Sequence, residues 1–164
     1  MKADSLRVSK VFSTGGDVVY IMPHFQREYA WEKPNWQTLL TDVFSIYDAY
    51  SDNDQPEHFM GSLVVINDGM RRGVIPVFRL VDGQQRLTTI SLMLCALGRL
   101  VQESHPELSN RIRRLLTNPE ETDELYFKLL PTAKTAIGRP IWQSSAVTAK
   151  CRRMTQGFPP PLTT

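Results

Sequence analysis

Two short blocks hold most of the residues in this chain that could do chemistry. One is Gln26-Arg27, inside PHFQREYAW (23–31). The other is Asp82-Gly83-Gln84-Gln85-Arg86, at the head of the apolar run LTTISLMLCAL (87–97). Each sets a neutral amide beside a guanidinium. Amides donate to phosphate or sugar oxygens, and a guanidinium offers five donors in a planar fork that fits phosphate. In the second block a strand-like run, VIPVFRLV (74–81), ends just before Asp82, and helix-like sequence follows. Gly83 lets the backbone turn sharply, and the N–H groups of a first helical turn have no acceptor within the helix. Such a helix start attracts anions. Arg86 sharpens the case, because a cation in the first turn opposes the helix dipole by roughly 0.3–1 kcal/mol. A phosphate held between Arg86 and the backbone amides reverses that penalty. Asp82 is acceptor-only when ionised, which suits it to hold Mg2+ through water, to orient Arg86, or to bind a ribose hydroxyl.

A ligand-free account competes with this one. Asp82 followed three residues later by Gln85 has the spacing of a capping box, which explains those two residues and leaves Gln84 and Arg86 without a role. Thr88 and Thr89 read as helix-surface or back-bonding hydroxyls rather than catalytic groups. In the first block, Phe25, Arg27, Tyr29 and Trp31 share one side of an extended chain. Tyr29 and Trp31 either supply flat surfaces for stacking a base or roof the core beneath the next helix.

The elements that must position these blocks follow from periodicity. VVYIMPHF (18–25) predicts a strand whose ladder Pro23 limits. Pro34 suits a first helical turn, with Lys33 outside it, and Trp36, Leu39, Leu40, Val43, Tyr47 and Tyr50 keep helical spacing, so 34–50 is expected as an amphipathic helix. HFMGSLVVI (58–66) reads as a strand, NDGMRRG (67–73) as a turn around Asp68-Gly69, and 74–81 as the second arm of a hairpin. Residues 87–101 are apolar on nearly every side, as in a helix buried in the core. PELSNRIRRLLT (106–117) predicts a more polar helix, and ELYFKLLP (124–131) one more strand. The fold expected is α+β, a small mixed sheet closed on a central helix.

Composition bounds the rest. With 164 residues, 41% of them hydrophobic, the chain can bury a real core. A net charge of +2, with 17 acidic residues among 19 basic ones, is too mild to argue for nucleic acid by itself. Cys95 and Cys151 have no metal spacing, and a buried thiol at Cys95 fits a reducing compartment. Neither a signal-peptide stretch nor an apolar run of membrane-spanning length is visible, so a cytoplasmic protein without membrane contact is expected. Arg71-Arg72 and RIRR (111–114) are the segments that would support a non-enzymatic DNA-binding module, but they read more readily as solvated surface charge.

IMPHFQREYAWEKPNWQTLLTDV, then HFMGSLVVI, then LVDGQQRLTTISLMLCAL, in this order and spacing, resemble the N-terminal domain of GmrSD-type restriction endonucleases. FKLLPT (127–132) resembles a later block of that family, so the likeness covers about residues 8–134. It implies a ParB/sulfiredoxin-like fold and a domain that binds and hydrolyses GTP, UTP or ATP with Mg2+. Hydrolysis would govern cleavage of modified DNA by a separate HNH-type nuclease domain or subunit. Gln26, Arg27, Asp82, Gly83, Gln84, Gln85 and Arg86 would then line the nucleotide pocket, with Tyr29 and Trp31 beside it contacting DNA or base. Asp82, Gln85 and Arg86 are the candidates for catalysis and Asp82 for the metal. The alternatives are a non-enzymatic DNA-binding or interaction module and an inactive remnant. From Thr135 onward neither period persists, and Pro159-Pro160-Pro161 follow. Residues 135–164 are expected as a poorly ordered tail left by a disruption near Lys134, on a chain that cuts no DNA alone.

Overall fold

The computed structural model describes residues 4–12, 16–23, 29–51, 56–121 and 125–131. Gln26, Arg27, Cys151 and the expected tail lie outside them. In chain order the elements are α1 (Val8–Phe12), β1 (Val19–Met22), α2 (Lys33–Ala49), β2 (Val64–Arg71), β3 (Ile75–Asp82), α3 (Gln84–Leu100), α4 (Pro106–Leu116) and β4 (Leu129–Pro131). The strands form one sheet in the order β2-β3-β1-β4. β1 runs parallel to both neighbours, pairing Val19 with Val77 and Tyr20 with Leu129, while β2 and β3 form an antiparallel hairpin. The result is a mixed sheet packed with helices, as expected.

β1 is central and covered on both faces, which is why VVYIM is an unbroken apolar run rather than an alternating one. Tyr20 and Met22 join Phe12, Leu80, Leu87, Leu92 and Leu129 on the helix side, whereas Val19 joins Ile75, Val77 and Leu125 on the other. Tyr20 donates its hydroxyl hydrogen to Val11 O at 2.7 Å, and burial pushes its phenol from 10.0 up to about 12. In that interval the folded chain keeps a proton that the unfolded chain loses. The contribution is therefore intact below pH 10 and lost as pH rises through about 12. Tyr20→Phe is expected to flatten the fall of the urea midpoint across this window; an equally steep fall would remove Tyr20 as its source.

Two polar side chains, both missed by periodicity, lock the starts of β1 and β4. Asn118 is fully buried: its Oδ1 accepts the Val18 N–H (3.3 Å), and its Nδ2 donates to Val18 O (3.2 Å) and Leu125 O (2.6 Å). Lys128, also buried, donates from Nζ to Phe12 O at 2.6 Å and so pins the end of α1. Burial pushes the Lys128 pKa down, and the charge of Asp17 pulls part of the way back.

Several boundaries differ from expectation for identifiable reasons. β2 begins at Val64 rather than at His58, and Asp68-Gly69 is a bulge within it instead of the hairpin turn. Gly69, at φ 86°, donates to Asn67 Oδ1, while the true turn is Arg72-Gly73, both at positive φ, closed by Val74 N–H to Arg71 O. Two successive positive φ values match the twist of a hairpin. α2 starts at Lys33, one residue earlier than expected, because Asn35 Oδ1 accepts the Glu32 N–H ahead of it. Only Trp36 and Leu39 of its apolar face are buried; Phe44 (52% exposed), Tyr47 (77%) and Tyr50 (56%) reach solvent. α3 is likewise buried along one side, with Leu97 and Leu100 exposed and Cys95 half-buried rather than buried. β4 is shorter than the 124–131 expected.

Candidate functional site

Gly83 makes the strand-to-helix turn. It takes φ 89° as the residue before α3, and a side chain there would lie 2.8 Å from Leu63 Cδ1 and 3.1 Å from Ser62 O. Both the left-handed backbone and the close approach of residues 62–63 call for glycine. Leu87 N–H returns to Gly83 O at 2.9 Å to start the helix. Asp82 stands exposed at the end of β3, Gly83 is buried, and Gln84, Gln85 and Arg86 are half-buried around the first turn, with the Gln84 amide oxygen turned away from solvent. Residues 82–86 are thus gathered at one mouth, where the carboxyl end of a strand meets the amino end of a helix.

The capping box does not form: α3 has no side-chain cap, and Gln85 Oε1 instead accepts the Ala30 N–H at 2.8 Å. This bond ties the end of the first block to the first turn of α3. One turn further, Thr89 Oγ1 meets the Tyr29 hydroxyl at 2.8 Å and donates to Gln85 O at 2.8 Å, while Trp36 Nε1 donates to Tyr29 Oη at 2.8 Å. Thr89 has one proton and spends it on the carbonyl, so Tyr29 must donate to Thr89 and accept from Trp36. The relay runs from indole to phenol to hydroxyl to backbone. Burial pushes the Tyr29 phenol up, and its bonds to Thr89 and Trp36 pull part of the way back. Thr89 does back-bond, as read from sequence, but it and Thr88 are buried instead of lying on the helix surface. Trp31 is half-buried. Tyr29→Phe removes the acceptor of Trp36 and the donor to Thr89. An expected loss of about 1–2 kcal/mol lowers the melting temperature by roughly 2–8 °C, measurable by circular dichroism. An unchanged melting temperature would show that the relay carries no stability.

Arg86 is positioned from the other flank. Its Nη1 donates to Ser62 O at 2.8 Å, and its guanidinium lies against Gly61, whose φ is 93°. A Cβ on Gly61 would stand 2.5 Å from Arg86 Cζ. Among the described residues no carboxylate forms an ion pair with Arg86. Gly61 and Ser62 are site residues that charge and periodicity did not single out; the available signal was the GS that follows HFM, between the two blocks. The small cavity here, about 80 Å³ between α1, residues 60–63 and the Arg86, Leu87 and Ile90 side of α3, is largely apolar. It is well below the roughly 300 Å³ at which small-ligand pockets begin. Among the described residues no group of three or more His, Cys, Asp and Glu could hold a metal ion, and no helix is long and apolar enough to cross a membrane.

A strand, a glycine turn and a helix start, bearing an arginine that pairs with no carboxylate among the described residues, meet at one end of a small mixed-sheet domain. The chain belongs to the family of the GmrSD restriction endonuclease N-terminal domain, whose match spans residues 8–155. A search of curated proteins found no match.

Proposed function

We propose that the domain, with a ParB/sulfiredoxin-like fold, binds and hydrolyses a nucleoside triphosphate. It would act in the cytoplasm as the regulatory part of a modification-dependent restriction or phage-defence protein, with cleavage of modified DNA left to a separate HNH-type nuclease domain or subunit. The observation that carries this reading is the Ala30–Gln85 hydrogen bond. It joins the two amide–guanidinium blocks at the first turn of α3, and Arg27 is three residues before Ala30 in the chain. A polyphosphate would lie across that turn, met by its backbone amides, by Gln84 and Arg86, and by Gln26 and Arg27 from the first block.

Roles follow from which atoms are engaged. Gln85 Oε1 accepts from Ala30, and toward a phosphate or a water the Gln85 amide would act as a donor. Asp82 is then the acceptor among these residues able to take a proton from an attacking water. Its exposed carboxylate also suits Mg2+, which commonly takes one or two carboxylates and completes its shell with phosphate oxygens and water. When bound, the metal would neutralise charge on the phosphates. Gly83 permits the close approach, Arg86 stabilises charge developing on the γ-phosphate, and Tyr29 and Trp31 lie beside the base or the DNA.

Calorimetric titration with GTP, UTP and ATP, with and without Mg2+, tests the reading. Saturable Mg-dependent binding is expected for at least one of them. Arg86→Ala should weaken it about 10- to 150-fold, the value of a charge-assisted hydrogen bond. Equal affinity in Arg86→Ala, or no binding of any of the three, would leave a non-enzymatic module as the better account.

A further inference from the structure

The two basic segments that read separately as solvated charge, Arg71-Arg72 and RIRR, converge in the fold. Val19, Ile75 and Leu129 mark the starts of three parallel strands, at the end of the sheet opposite Asp82 and α3's first turn. The Arg72-Gly73 hairpin tip is separated from Ile75 only by Val74 and so lies at this starting end. Asn118, just past α4, is bonded to Val18 and brings the arginine-bearing end of α4 to the same place. Arg72 Nη1 to Glu121 Oε2, at 2.6 Å, links the hairpin tip to the segment following α4. Beside this link is a cleft of about 510 Å³ lined by Arg113, Arg114, Thr117, Pro119, Glu120 and Tyr126. Both of its arginines are exposed, and among the described residues neither pairs with a carboxylate.

We infer that this end of the sheet is a second ligand site, distinct from the mouth at α3, and that it takes the phosphodiester backbone of a nucleic-acid strand. Arginines in a last helical turn complement the helix dipole. That effect explains their presence on α4 but not the cleft beside them, whereas the hairpin tip is brought in by the Arg72–Glu121 ion pair. Glu120 in the wall disfavours a compact, highly charged anion such as a free triphosphate. A strand spreads single charges along its length and can pass the carboxylate while meeting the guanidiniums of Arg113 and Arg114. Tyr126, half-buried in the cleft wall, adds an aromatic surface of the kind on which bases stack.

The test is fluorescence anisotropy of a labelled single-stranded DNA oligonucleotide across a salt series. The variants are Arg113→Ala/Arg114→Ala and, as a surface control, Arg99→Ala in the last turn of α3. Loss of two phosphate contacts is expected to lower the slope of log affinity against log salt by about 1.4 and to weaken binding about 10- to 100-fold near 100 mM salt. Arg114→Gln, which keeps a long polar side chain, should give about half that slope change, and Arg99→Ala none. The double variant should keep wild-type Mg-nucleotide affinity, which separates this site from the one at α3. Unchanged strand binding in the double variant would overturn the inference. Displacement of the strand by millimolar orthophosphate or ATP as readily as by unlabelled DNA would also overturn it, in favour of a small-anion site.

Discussion

Gly61→Ala is expected to weaken Mg-dependent nucleotide binding as severely as Arg86→Ala, although residue 61 carries no functional group. The added Cβ would stand 2.5 Å from Arg86 Cζ, 2.7 Å from Nη1 and 2.9 Å from Nε. None of these separations is tolerable, yet all three atoms sit at the far end of a flexible side chain. The guanidinium therefore swings away instead of the backbone breaking, and it gives up its hydrogen bond to Ser62 O. The fold pays only for an alanine at φ 93°, roughly 1–3 kcal/mol. The proposed nucleotide site loses its Arg86 guanidinium. Titration of Gly61→Ala, Arg86→Ala and the double variant separates the two consequences. Once Arg86 is absent, a methyl group at position 61 should cost no further affinity, so the two losses are strongly non-additive. Additive losses would mean that Gly61 does not act through Arg86.

Asn118→Leu is expected to be the most damaging single change to stability. The exchange is close in size, but it strands the Val18 N–H, Val18 O and Leu125 O, three backbone groups that a fully buried Asn118 now satisfies. Unmet buried polar groups cost about 1–3 kcal/mol each, and the added apolar surface returns part of this, leaving a net loss on the order of 3–5 kcal/mol. Against total stabilities of about 5–15 kcal/mol, that takes a large share. Calorimetric melting should show a fall of roughly 6–20 °C. A fall under about 2 °C would indicate that water replaces the side chain at no loss.

How far these features were legible varies with the kind of signal. The DGQQR block announced its own geometry, because a glycine between a β-branched run and an apolar helix has few other uses, and Gly83 takes the positive φ this requires. The core of β1, the second hairpin arm and the spans of α3 and α4 followed from periodicity. The hairpin turn did not. Asp68-Gly69 has the better turn chemistry, but the ladder absorbs it as a bulge and turns at Arg72-Gly73. Spacing proposed a cap for Gln85, and a partner remote in the chain, Ala30, took the oxygen instead. Gly61 and Asn118 were invisible for the same reason: their importance lies in what another segment places against them. Helical spacing in α2 marked Trp36 and Leu39, which are buried, without telling that Val43, Tyr47 and Tyr50 on the same expected face are exposed.

The placement of β1 constrains how the chain is assembled during synthesis. This strand precedes its ladder partners in the chain, which are Val77–Arg79 on one side and Leu129–Pro131 on the other. The β2–β3 hairpin and α3 can form from nearby segments, while β1 must wait for Val77–Arg79 on one edge and for Leu129–Pro131 on the other. Long-range parallel pairing of this kind is slow and leaves apolar strand exposed in the interval. A nascent polypeptide arrested between Asp82 and Leu129 would hold β1 matched to β3 along one edge and bare along the other, an open strand edge of the kind chaperones shield.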